Sequence, residues 1–162
     1  MSLEGRRVAV LAEEGYQELE LWYPVMRFRE EGADVVIAAP QSTSAYESRL
    51  GYPLLAQTTI AELDPGAFDA VVVPGGEAGK RLSGSDEAVE LVRKAQASGA
   101  LTAALGSGIE ILVAAGVVES RRVAGESTED VVVDDGVITA RDADDLPAFV
   151  RAIRQSLAAG QS

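Results

Sequence analysis

The residues best placed to do chemistry lie between Leu101 and Gly116, in the stretch LTAALGSGIEILVAAG. Leu101 to Leu105 is an apolar run of strand length, Gly106-Ser107-Gly108 is a turn signal, and Ile109 to Ala115 is apolar with helical spacing. That order is the outline of a nucleophile elbow, a strand–tight turn–helix that displays a reactive side chain. Yet the chain contains no cysteine and no histidine. Cysteine–histidine catalysis is excluded by composition, and Ser107 lacks the base that most often activates a serine. Its simplest reading is an N-cap for the following helix. Of the lysines, Lys80 and Lys94, only Lys80 falls near the elbow in the loop order. Without thiolate or imidazole, a transition-metal site would need carboxylates alone. Glu13-Glu14 and Asp142-Asp144-Asp145 read instead as acidic helix starts and solvated loops, so no metal and no cofactor is assigned.

The elements that would position this elbow follow from patterning. The 162 residues are 47% hydrophobic and 25% charged, and residues 1–162 read as a single domain with an ordinary core. A formal net charge of -12 argues against nucleic acid and anionic membranes as partners, because both are held through lysine and arginine. The first apolar stretch, Val8 to Leu11, is too short for a secretory or spanning segment, so the cytoplasm is the expected address.

Arg7 to Ala12 predicts a buried strand, and Tyr16 to Glu31 a helix with Leu19, Trp22, Tyr23 and Met26 on its apolar face, ended by Gly32. Val35 to Ala39 is a second strand. Ser42 to Leu55 is turn-rich and reads as a hairpin or irregular excursion. Ala70 to Val73 is a strand ending at Pro74-Gly75-Gly76. Ser85 to Ser98 is a helix with a serine cap, Asp86 and Glu87 in its first turn, and Arg93 and Lys94 near its end. Val131 to Val133 and Val137 to Thr139 flank the hairpin signal Asp134-Asp135-Gly136. Leu146 to Leu157 closes the chain as an amphipathic helix. Apolar strands alternating with helices imply a parallel sheet covered on both faces. Ligands of such sheets bind beyond the carboxyl ends of the strands, which selects three loops: Glu13 to Gln17, Pro74 to Lys80 and Gly106 to Gly108.

At these loops the chain resembles the DJ-1/PfpI (ThiJ/PfpI) superfamily, in particular its PfpI-like intracellular protease and stress-protein branch. The matching stretches are Tyr16 to Pro24 (YQELELWYP), Glu30 to Val35, Phe68 to Gly76 (FDAVVVPGG) and Ala103 to Val117, in family order. The resemblance implies a flavodoxin-like three-layer sandwich with a mostly parallel central sheet, class I glutamine amidotransferase-like in outline, and a homodimer or larger homo-oligomer. It also implies a site with a cysteine on the elbow, a histidine after it and a glutamate from the first loop. In this chain Gly106 stands at the cysteine position and Ser107 at the histidine position. The glutamate position, counted back from Glu20, Tyr23 and Pro24, falls on Gln17, with Glu18 a candidate substitute. Lys80 stands where that branch often carries a glutamate, and the segment between Gly116 and Val131 is shorter than the family pattern.

These replacements point to a pseudoenzyme. The resemblance also implies an oxyanion hole of backbone N–H groups, which here would be those of Gly75, Gly76 and Ser107 and would not need the replaced side chains, so a site for a small anion or carbonyl compound is expected there, with Gln17 and Lys80 as further ligand contacts. The alternatives are a residual hydrolase or glyoxalase-like enzyme with a non-cysteine mechanism, and a structural partner subunit of an active homologue.

Overall fold

Short runs of valine, isoleucine and alanine pair as parallel strands, because side chains buried on both faces leave no reason for polar alternation. The computed structural model describes residues 2–126 and 128–160. In chain order its elements are β1 (Arg7–Leu11), α1 (Glu18–Glu30), β2 (Asp34–Ala39), β3 (Ala45–Glu47), β4 (Pro53–Leu55), β5 (Thr58–Thr59), β6 (Ala70–Val73), α2 (Glu77–Ser83), α3 (Asp86–Ala97), β7 (Leu101–Leu105), α4 (Ile109–Ala114), β8 (Val131–Asp134), β9 (Val137–Ala140) and α5 (Leu146–Ala159). The central sheet has the order β5-β2-β1-β6-β7-β9-β8. All its neighbours are parallel except β8 and β9, and these join through Asp135 and Gly136 at φ 44° and 79°, the left-handed pair that a two-residue hairpin turn requires. The flavodoxin-like sandwich expected from the sequence is the observed fold.

Strand residues alternate between two cores. Val8, Val10, Val72, Ala103 and Leu105 face α1 and α5, meeting Leu21, Val25, Phe28, Phe149 and Ile153. Ala9, Leu11, Val71, Val73 and Ala104 face the other layer, where α3 and α4 contribute Leu91, Val92, Ile111 and Leu112. The turn-rich stretch is the antiparallel hairpin β3–β4, a separate two-stranded sheet. Ser85 caps α3 by accepting from the Ala88 N–H.

Two readings are corrected. The buried face of α1 is Leu21, Pro24, Val25 and Phe28; of the stripe read as core, Trp22 and Tyr23 are half-buried against it, while Leu19 and Met26 are 58% and 55% exposed. The stretch after Gly76, read as loop through Lys80, is the helix α2.

Candidate functional site at the elbow

Strands β1, β6 and β7 lie side by side at the centre of the sheet, so the three loops selected from the sequence emerge together at their carboxyl ends. The β7 loop turns sharply: Gly106 has φ +53°, then Gly106–Gly108 forms one turn of 3-10 helix and α4 begins. This left-handed backbone costs a side-chain-bearing residue roughly 1–2 kcal/mol and glycine almost nothing.

The neighbouring glycines are dictated by packing. A Cβ on Gly75 would lie 2.5 Å from Glu20 Oε2 and 3.0 Å from the Leu105 carbonyl. One on Gly76 would lie 2.5 Å from the Gly15 carbonyl, and one on Gly79 would lie 2.6 Å from the Gly108 nitrogen. One on Gly108 would meet the Val73 carbonyl at 2.6 Å. Backbones here approach too closely for any other residue. Gly106 is different. Its Cβ would meet nothing nearer than the Arg141 carbonyl at 3.5 Å, then Glu20 Oε1 and Oε2 at 3.9 and 4.0 Å. A side chain has room at this position, and its absence leaves a notch.

The carboxyl beside the notch belongs to Glu20, on the first turn of α1 and 5% exposed. Its Oε2 accepts the Gly75 N–H at 2.6 Å. Burial pushes its pKa up; the Gly75 hydrogen bond pulls down, the field of Asp142 pushes up, Arg49 pulls down, and the net displacement is upward. Gln17, the position counted for the family glutamate, does other work: its amide oxygen accepts the Glu20 N–H at 2.8 Å and caps α1. Gln17 and Glu20 are three residues apart, neighbours on one helix face, and it is Glu20 that reaches the elbow. Glu18 turns toward the hairpin, where it accepts the Leu50 N–H at 2.6 Å. Burial raises its pKa, but hydrogen bonds with Ser48 and Leu50 hold it below the usual value.

Ser107 is neither a nucleophile with a base nor a cap. Its hydroxyl donates to the Gly76 carbonyl at 2.5 Å, and α4 has no side-chain cap. That bond staples the elbow to the start of α2. Gly75 spends its N–H on Glu20, so one of the donors expected to form an anion hole is already taken. Lys80 is exposed on α2, one residue past the Gly79 contact with the elbow and turned about 100° from it. The cation whose field reaches Glu20 is Arg49, from the bend after β3. Sequence reasoning missed both Glu20 and Arg49. A signal for Glu20 was present, since it is an acid inside the YQELELWYP motif; none marked Arg49. Among the described residues no group of three or more metal-ligating side chains gathers, and no helix is long and apolar enough to cross a membrane.

Known proteins resemble this chain along most of its length. The profile of the DJ-1/PfpI family matches residues 6–156. A protein named deglycase PfpI from Pyrococcus furiosus is 33% identical over 161 residues, covering 90% of this chain and 95% of its own length. A protein of Archaeoglobus fulgidus is 36% identical over 157 residues, covering 88% and 93%. Among solved structures, a two-domain protein of Anabaena variabilis with DJ-1/ThiJ/PfpI-like and ferritin-like domains superposes with a TM-score of 0.91 at 27% identity, over 94% of this chain and 48% of that one. Toxoplasma gondii DJ-1 superposes at 0.88 with 20% identity, over 94% and 91%, which shows the shared fold. With its profile matched from first strand to last helix, the chain belongs to the DJ-1/PfpI family.

Proposed function

We propose that this single-domain protein is a non-catalytic member of the family, a homo-oligomer that binds a small ligand at the elbow or acts as a regulatory subunit. The observation that supports it is the notch at Gly106. The backbone of a nucleophile elbow is in place and a side chain would fit, yet the residue present carries none, and no cysteine or histidine exists elsewhere to take over. A site under selection for covalent chemistry would not be expected to keep the strained turn and drop the nucleophile.

The relatives named deglycases supply the assay. Purified protein given a glycated amine, methylglyoxal and a peptide amide is expected to match the buffer blank under conditions where the Pyrococcus furiosus relative is run alongside as reference. Turnover that co-purifies with the protein and falls in Ser107→Ala would favour the alternative, an enzyme with a non-cysteine mechanism. Against that alternative stands the Ser107 hydroxyl, which donates to a carbonyl rather than to a base.

A further inference from the structure

The three atoms nearest to a Gly106 side chain from beyond the turn itself are all hydrogen-bond acceptors. The direction of a Gly106 side chain runs toward the Arg141 carbonyl, 3.5 Å from the Cβ position, and toward both Glu20 oxygens at 3.9 and 4.0 Å. Glu20 Oε2 holds the Gly75 N–H, while Oε1 takes no hydrogen bond among the described residues. Most of the Glu20 side chain is buried, but Oε1 is not among the buried side-chain atoms left without a partner; it is open to solvent at the notch, where a ligand donor can take the place of water. Gly106 and Ser107 are both part-exposed, so the notch opens to solvent. The donor that an anion would use, the Gly75 N–H, is committed, and the chain's net charge of -12 repels anions at long range.

We propose that the notch over Gly106 is a binding site for a small primary ammonium group, held between the Glu20 carboxylate and the Arg141 carbonyl. This deepens the ligand-binding reading above and rests on it, but it inverts the expected ligand from acceptor to donor. Three N–H donors of an ammonium suit two converging acceptors, and its charge complements the Glu20 carboxylate. The groups that set the field at Glu20 are the Gly75 N–H from the β6–α2 loop, Asp142 from the connection after β9 and Arg49 from the hairpin. Asp142 favours a cation, Arg49 opposes it, and binding weakens as pH falls and Glu20 is protonated.

Methylammonium chloride is the probe, with tetramethylammonium chloride as the control of equal charge and no donor. At neutral pH, methylammonium tenfold above its dissociation constant is expected to raise Tm by roughly 3–6 °C, with saturation, and tetramethylammonium to leave it unchanged. Glu20→Gln, which keeps an acceptor for Gly75 but no charge, loses the shift. Gly106→Ala, which fills the notch, loses it as well, and Arg49→Ala steepens the response. A shift that survives in both Glu20→Gln and Gly106→Ala, or that tetramethylammonium reproduces, overturns the site. Sodium acetate and sodium pyruvate are run in parallel. A saturable shift with either, and none with methylammonium, overturns the ammonium proposal while leaving ligand binding at the elbow in place; no shift with any of the four removes both.

Discussion

At the residue scale, the elbow sets a largely buried carboxyl beside a residue that has no side chain. Glu20 carries a pKa raised above the ordinary carboxylate value, first through burial. A folded-state pKa above the unfolded one means that the group favours folding when protonated. That contribution is complete below the unfolded pKa and is lost as pH rises through the folded one. Glu20→Gln cannot ionise, so the variant is expected to match the wild type near pH 4 and to exceed its Tm increasingly as pH rises toward 8. A Tm difference that is flat across this range, measured by thermal unfolding in matched buffers, would mean that Glu20 titrates normally. A carboxylate that could pair with a nearby cation would be destabilising to remove; here its removal is expected to stabilise, because Arg49 only partly offsets the burial.

At the scale of elements, the site depends on how tightly α2 lies on the elbow. Gly79 brings the two backbones together, since its Cβ would sit 2.6 Å from both the Gly108 nitrogen and the Ser107 carbonyl carbon. Gly79→Ala is expected to cost about 1–3 kcal/mol through forced separation of packed backbone, lowering Tm by several degrees. Gly84→Ala, just beyond the end of the same helix, would meet only the Arg81 carbonyl at 3.6 Å and should be close to neutral. Equal effects in the two variants would show that α2 is not clamped there. This contact also explains what the sequence could and could not reveal. The βα alternation, the Asp135-Gly136 turn and the Ser85 cap were legible because each has a local physical signature. Helix α2 was not: EAGKRLS is short and polar, and it is held by a glycine contact that leaves no periodicity to read. In α1 both faces are apolar, so spacing alone could not say whether Leu19, Trp22, Tyr23 and Met26 or Leu21, Val25 and Phe28 go inside. The choice is made by the sheet, which buries the second set and takes Trp22 and Tyr23 only at its margin. Glu20 was hidden by the same ambiguity, because an acid in a helix is expected in solvent, and only the tertiary fold turns it to the elbow.

At the scale of the whole molecule, the outer face of α1 adjoins the β3–β4 hairpin. Trp22 meets Tyr52 edge to face at 6.1 Å, the Glu18 carboxylate accepts the Leu50 N–H, and Leu50 and Tyr52 remain 87% and 59% exposed. Leu19 and Met26 on α1 are exposed as well, and large apolar side chains left in solvent are of the kind that association covers. The proposed homo-oligomer would bury them. Replacing Met26 and Leu50 by lysine and aspartate is expected to move the protein from dimer to monomer mass in light scattering with no loss of Tm beyond that due to dissociation. A wild type that is monomeric at micromolar concentration would count against the oligomer. The high negative charge works in the same direction as these apolar side chains, since it suppresses indiscriminate contacts and leaves association to apolar complementarity.

The proposed function requires that Gly106 occupy a nucleophile's place with Glu20 facing it. Because the natural chain has no cysteine, a single thiol introduced as Gly106→Cys can be titrated alone by thiolate absorbance. With the carboxyl about 4 Å from its Cβ, thiol and carboxyl must titrate as a coupled pair. The thiolate curve of Gly106→Cys is therefore expected to be displaced by about one pH unit or more from that of Gly106→Cys with Glu20→Gln. Superimposable curves from two folded variants would place Glu20 away from the elbow and contradict the account.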